Sequence, residues 1–141
     1  MSTNGISVIW VNKEDAVKIW PMVEPFLISA MKRWLPVYFS SDLLEGVLED
    51  KMQLWIITNN KEERLYGAAL TQIIPYPRAK ILNLFLLGGQ DMKSWKDDMS
   101  NAIETFARSQ GCDFLQSLGR RGWAWFKGAF ESAVVVNKVL T

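Results

Sequence analysis

The side chains able to do chemistry in this chain of 141 residues are carboxylates, lysines, arginines, three tyrosines (Tyr38, Tyr66 and Tyr76) and one cysteine, Cys112; there is no histidine. That inventory excludes whole mechanisms. A Ser-His-Asp or Cys-His nucleophile needs an imidazole to take its proton. A structural zinc needs several Cys or His ligands, and Cys112 stands alone, so no metal is expected. No Gly-rich run ends in Lys-Ser or Lys-Thr, so a Walker phosphate loop is absent. Proton transfer then falls to a carboxylate, a tyrosine, a lysine, Cys112 or water. Fifteen acids spread over a small surface pair by chance, so a pair of them is no sign of a glycosidase.

Other features carry two readings each. The seven tryptophans (10, 20, 34, 55, 95, 123 and 125) read as core residues, or as lining for a groove or partner surface. Arg120 and Arg121 read as solvated loop charges, or as a bidentate clamp for phosphate or carboxylate. Cys112 follows the glycine that ends a helix and reads as a buried, unreactive thiol.

The elements that position these groups follow from length and patterning. The length fits one domain, 1–141. Apolar residues make up 49% and charged residues 22%, which excludes a disordered chain. A net charge of +1 gives no electrostatic case for nucleic acid or an anionic membrane as partner. No apolar run approaches the roughly 18 residues of a membrane span. The first residues lack the basic and apolar blocks of a signal peptide, so a cytoplasmic location is expected.

Alternating or β-branched runs predict strands at 7–11, 52–59, 64–74, 80–87, 113–118 and 132–140. Helical spacing over 16–34 predicts a helix that Pro21 and Pro25 should kink or divide. Asp42 and Glu45 resemble a capping box opening a short helix through about 49. Residues 92–110 form the clearest amphipathic helix, with Gly111 as its C-terminal cap. A short helix is expected at 123–130. Gly67 marks a bulge or a close backbone approach. The unbroken apolar run at 80–87 predicts a strand buried on both faces. The order is β-α-α-β-β-β-α-β-α-β. It predicts an α/β (α+β) three-layer fold whose central sheet of about six strands is mixed and largely antiparallel, with helices on both faces.

That order over nearly the whole chain resembles the GNAT superfamily of acyl-CoA-dependent N-acetyltransferases. The segment 80–111, a strand, a loop and a long helix, carries most of the likeness. The resemblance implies acetyl-CoA as cofactor and a primary amine as acceptor. It implies a strand amide near Leu86 or Leu87 that polarises the thioester carbonyl, and a pyrophosphate held where Gly88 and the following loop lead into the helix, by Lys93, Ser94, Trp95 and Lys96. The positions where the family carries Arg or Gln and then two glycines fall on Asp91, Ser94 and Lys96. The same residues also read as plain helix caps, with both lysines solvated. The loop bearing Trp34 and Tyr38 would border the acceptor groove. Asn83, the polar side chain inside the fourth strand's apolar run, would bind an amine or a water there, or satisfy the backbone. No side chain is assigned a catalytic role.

A narrower resemblance, to GNAT-like proteins encoded by tailed bacteriophages, rests on Leu118-Gly119-Arg120-Arg121-Gly122-Trp123 followed by a Val-rich strand ending Asn137-Lys138-Val139-Leu140. It implies the alternative of a catalytically inactive interaction protein or virion component, with a phage or host protein as partner. The expected helix at 123–130 carries no tyrosine to protonate a leaving thiolate, which suits that alternative.

Overall fold

The computed structural model describes residues 5–32, 37–117, 138 and 140. Five strands form one sheet in the order β1 (Ile6–Val11), β2 (Gln53–Asn59), β3 (Arg64–Pro75), β4 (Lys80–Gly89) and β5 (Phe114–Ser117). The first three pairings are antiparallel, and β4 pairs with β5 in parallel. Short polar turns can join only antiparallel neighbours, whereas the long excursion between β4 and β5 permits a parallel return. The mixed sheet matches the sequence expectation. The expected sixth strand, the helix at 123–130, the 118–123 segment with Arg120 and Arg121, and Trp34 lie outside the described residues.

Helix α1 (Lys13–Met31) begins at Asn12, whose side chain accepts the Asp15 amide at 2.9 Å. Its residues Ala16, Trp20, Val23 and Leu27 recur at helical spacing and are buried. Pro21 and Pro25 lie inside it without dividing it, so of the expected kink or division the division does not occur. Both prolines lie four residues apart on the exposed side, so the carbonyls that lose a partner face water. Helix α2 (Ser40–Leu48) starts two residues before Asp42. Asp42 therefore acts as the third residue rather than the cap, accepting the Phe39 amide at 2.7 Å.

The expected single helix from 92 is two elements. A 3-10 turn, Met92–Ser94, is followed by α3 (Lys96–Ser109), with Trp95 between them out of helical conformation. At its far end Gly111 takes φ of 72°, and the Cys112 amide turns back to the Ala107 carbonyl at 2.8 Å.

Two apolar cores sandwich the sheet. Helices α1 and α2 cover one face through Trp20, Val23, Leu27 and Leu43, against Phe85 and Leu86 of β4. Helix α3 covers the other through Met99, Ile103 and Phe106, against Trp55, Ile57, Leu82 and Leu84. Strand β4 contributes to both, as its apolar run predicts.

Candidate functional site

The irregular part of the sheet is the second half of β4. Leu70 of β3 pairs with Leu86 while Thr71 pairs with Leu84, so Phe85 is an extra residue in the ladder. The bulge turns two consecutive side chains to one side. Leu82, Leu84 and Leu87 pack in the α3 core, whereas Phe85 and Leu86 both pack in the α1/α2 core. A second bulge, at Tyr66, lies beside Gly67, where Ile57 pairs with Gly67 and Thr58 with Leu65.

Beyond Leu84, β4 has no β5 partner among the described residues, although it runs on to Gly89. The Gln90 amide donates to the Tyr66 carbonyl at 2.9 Å, so it faces β3. The Gly88 carbonyl also faces β3, lying 2.7 Å from where a Gly67 β-carbon would be. Strand alternation then turns the amides of Leu87 and Gly89 away from β3.

The strand leads into a junction built around Trp95. This indole is fully buried, and its N–H donates to the Gln90 carbonyl at 2.8 Å. Its ring lies against Gly89, where a β-carbon would come within 3.0 Å of it. The side chain of Trp95 is thus a core strut beneath the loop. Gly88 is likewise a packing glycine: a β-carbon there would meet the Phe26 carbonyl of α1. Asp91 takes the left-handed conformation, φ 55°. Ser94 closes the 3-10 turn by donating both its amide, at 3.0 Å, and its hydroxyl, at 2.8 Å, to the Asp91 carbonyl.

Among the described residues no side chain caps the N-terminus of α3. The amides of its first turn therefore have no intrahelical acceptor. Lys93 is exposed and Lys96 half-buried beside them, with Asp97 and Asp98 in the same turn. The uncapped amides and the two ammonium groups fit an anion.

On the α1/α2 face, the Tyr38 ring meets the Phe85 ring edge-on with centroids 5.3 Å apart. The loop holding Tyr38 is anchored by Ser40, which accepts the Trp20 indole N–H at 3.2 Å and donates to Glu24 at 2.5 Å. Asn83 precedes Phe85 by two residues and is 5% exposed. Its Nδ2 donates to Gln72 Oε1 at 3.1 Å, while its Oδ1 is buried with no hydrogen-bond partner among the described residues. Such an orphaned acceptor costs about 1–3 kcal/mol. Register places Gln72 of β3 and Gln116 of β5 on either side of Asn83. Sequence reading had singled out Asn83 and Tyr38 but not Gln72, Gln116 or Phe85, whose association depends on strand register.

The structure thus separates the expected site residues into three groups. Lys93, Ser94 and Lys96 gather at the start of α3, with Trp95 beneath them. Leu86 and Leu87 follow the bulge, and Gly88 lies under α1. Tyr38 and Asn83 flank Phe85 on the α1/α2 face. Burial pushes the Cys112 thiol up from its ordinary value, in keeping with an unreactive group. Among the described residues no cluster of three or more metal-ligating side chains occurs, and no helix is long and apolar enough to cross a membrane.

No family model matches the sequence, and no curated protein matches it. Solved structures do. An aminoglycoside acetyltransferase from an uncultured soil metagenomic sample, in complex with sisomicin, superposes with a TM-score of 0.72 at 11% identity over 98% of each chain. A predicted acetyltransferase with acetyl-CoA from Clostridium acetobutylicum gives 0.69 at 9% identity, over 95% of this chain and 96% of that one. A GNAT family acetyltransferase from Staphylococcus aureus gives 0.67 at 13% identity, over 96% and 99%. At these identities the likeness is one of fold: the chain has the GNAT acetyltransferase fold.

Proposed function

We propose that the chain is an acyl-CoA-dependent N-acetyltransferase that acetylates a primary amine. The observation that carries this reading is the course of β4. Past a bulge it runs, with the Leu87 and Gly89 amides turned away from β3, into the lysine-flanked start of α3, which no described side chain caps. A neighbour of the same fold is described with acetyl-CoA.

Acetyl-CoA would supply an activated acetyl thioester. The amides opening α3, with Lys93 and Lys96, would hold its pyrophosphate by charge-assisted hydrogen bonds. The Leu87 amide, turned away from β3, would donate to the carbonyl oxygen as negative charge grows there. Trp95 would act through the loop it props, keeping strand and helix start in register. The amine nitrogen forms a bond to the carbonyl carbon, the C–S bond breaks, and one amine proton passes to sulfur or solvent. Holding amine and thioester together supplies much of the acceleration, so the absence of an imidazole is no obstacle.

Titration with acetyl-CoA, followed by tryptophan fluorescence, tests the proposal. Saturable binding is expected, and Lys96→Glu should weaken it at least tenfold, or about 1.4 kcal/mol. No binding at millimolar concentration would overturn it and leave the fold serving a non-catalytic protein. Unchanged affinity in Lys96→Glu would remove the lysine from the phosphate site.

A further inference from the structure

We infer that the cleft at the far end of α3 is a second ligand site, one that takes a flat, uncharged cyclic amide. It lies where the end of β1, the start of β2 and the last turn of α3 meet, and it holds about 400 Å³. That volume suits a single small ring with room for a substituent. Helix α3 sets it 14 residues, about 20 Å, from the lysine-flanked amides of the transferase reading, on which it does not depend.

The first observation is a donor held ready. An indole N–H can only donate, so the Thr71 hydroxyl accepts the one from Trp55 at 3.0 Å and donates in turn to Gln53 Oε1 at 2.8 Å. Gln53 Nε2 is thereby turned away from Thr71, and it makes no hydrogen bond among the described residues. Gln53 is only 9% exposed, yet it lines the cleft, and its Nε2 is not sealed in as the Asn83 oxygen is. A fixed amide N–H in such a recess suits an acceptor, such as a carbonyl oxygen.

The second is the lining. Trp10 and Phe106 stand edge to face with centroids 4.8 Å apart, and Trp10 is 54% exposed. An aromatic wall of this kind suits a flat ring. Gln110, exposed at the rim just past α3, makes no side-chain hydrogen bond among the described residues. Its amide offers an acceptor as well as a donor, so it can take a ring N–H. The charged pair at the rim, Lys13 and Asp50, is closed on itself at 2.6 Å, so the cleft asks for no net charge. A ring –C(=O)–NH– unit answers each group: its carbonyl meets Gln53, its N–H meets Gln110, and its face meets the aromatic wall.

The test uses the full chain with 2-pyridone as probe and N-methyl-2-pyridone, which lacks the ring N–H, as comparison. 2-Pyridone should shift the NMR signals of the Gln53 side-chain amide and the Trp10 indole saturably, and the N-methyl compound should bind at least threefold more weakly. Gln53→Glu keeps an oxygen toward Thr71 but replaces the donor, and should raise the Kd for 2-pyridone at least tenfold. Trp10→Ala, at an exposed position, should raise it at least fivefold with the fold retained, and decides the matter should Gln53→Glu fail to fold. Saturating acetyl-CoA should leave the Kd for 2-pyridone within twofold. Unshifted Gln53 and Trp10 signals, equal binding of the N-methyl compound, an unmoved Kd in either folded variant, or displacement by acetyl-CoA would each overturn the inference. Failure of acetyl-CoA to bind would sink the transferase reading alone, because the titration with 2-pyridone needs no cofactor.

Discussion

Gly88 of β4 lies so close beneath α1 that a β-carbon on it would sit 2.1 Å from the carbonyl oxygen of Phe26. Backbone cannot retreat from such a contact as a flexible side chain would. Helix and strand approach here because one of them has no side chain.

Gly88→Ala should therefore destabilise the protein by about 1–3 kcal/mol through overpacking. The sign is diagnostic, since at an unconstrained strand position the same change stabilises by roughly 0.5–1 kcal/mol. Urea denaturation measures it, and an unchanged midpoint would refute the close approach.

Trp95→Phe keeps an aromatic ring in the α3 core but removes the donor to Gln90. The unpaired carbonyl should cost about 1–3 kcal/mol. Local consequences should exceed global ones: amide exchange in residues 90–95 should quicken relative to the β1–β2 ladder. Uniform acceleration across the chain would mean that Trp95 supports the core without specifically holding the loop.

A buried chain of hydrogen bonds runs from the Trp55 indole to Thr71 Oγ1 at 3.0 Å, and from the Thr71 hydroxyl to Gln53 Oε1 at 2.8 Å. Thr71 is fully buried. Thr71→Val preserves the shape and breaks both bonds, leaving a donor and an acceptor unpaired in a dry interior. A loss of at least ~2 kcal/mol is expected in thermal or urea unfolding. A neutral substitution would show that water replaces the hydroxyl.

Tyr66 should ionise late. Its hydroxyl donates to Glu62, and losing that bond beside a carboxylate pushes its pKa above the ordinary 10.0, with burial adding to the shift. Asn59 and Arg64 pull the other way. The protonated form is favoured in the folded state. Its contribution is complete below the unfolded pKa and is lost as pH rises through the folded one, so stability should fall above about pH 10. Tyrosinate absorbance should show a late-titrating phase, and Glu62→Gln should bring that phase to lower pH. A titration indifferent to Glu62→Gln would rule out the hydrogen bond as its cause.

Local chemistry left clear marks in the sequence. The apolar run of β4 foretold a strand with a core on each face, and Gly111 foretold the end of α3. The order of elements foretold a mixed sheet, because short polar turns and long crossovers leave few ways to pair strands. Gly67 carried the mark of both a bulge and a close approach.

What local rules did not contain has a common cause. Pro21 and Pro25 break helices when their neighbours need the missing bond, and here the deprived carbonyls face solvent, which no local rule contains. That the Trp95 ring is a core strut beneath the loop is set by its contacts with Gly89 and Gln90, which sequence order does not show. The close approach of α1 to Gly88 likewise depends on a helix more than sixty residues earlier in the chain. Asn83 was visible as a lone polar residue in an apolar strand. Its bond to Gln72, its register with Gln116 and its unpaired oxygen depend on residues 11 and 33 positions away in sequence. Periodicity and capping act through neighbours in the chain and can be read along it. Close approach, register and hydrogen-bond satisfaction act between distant segments, and packing alone sets them.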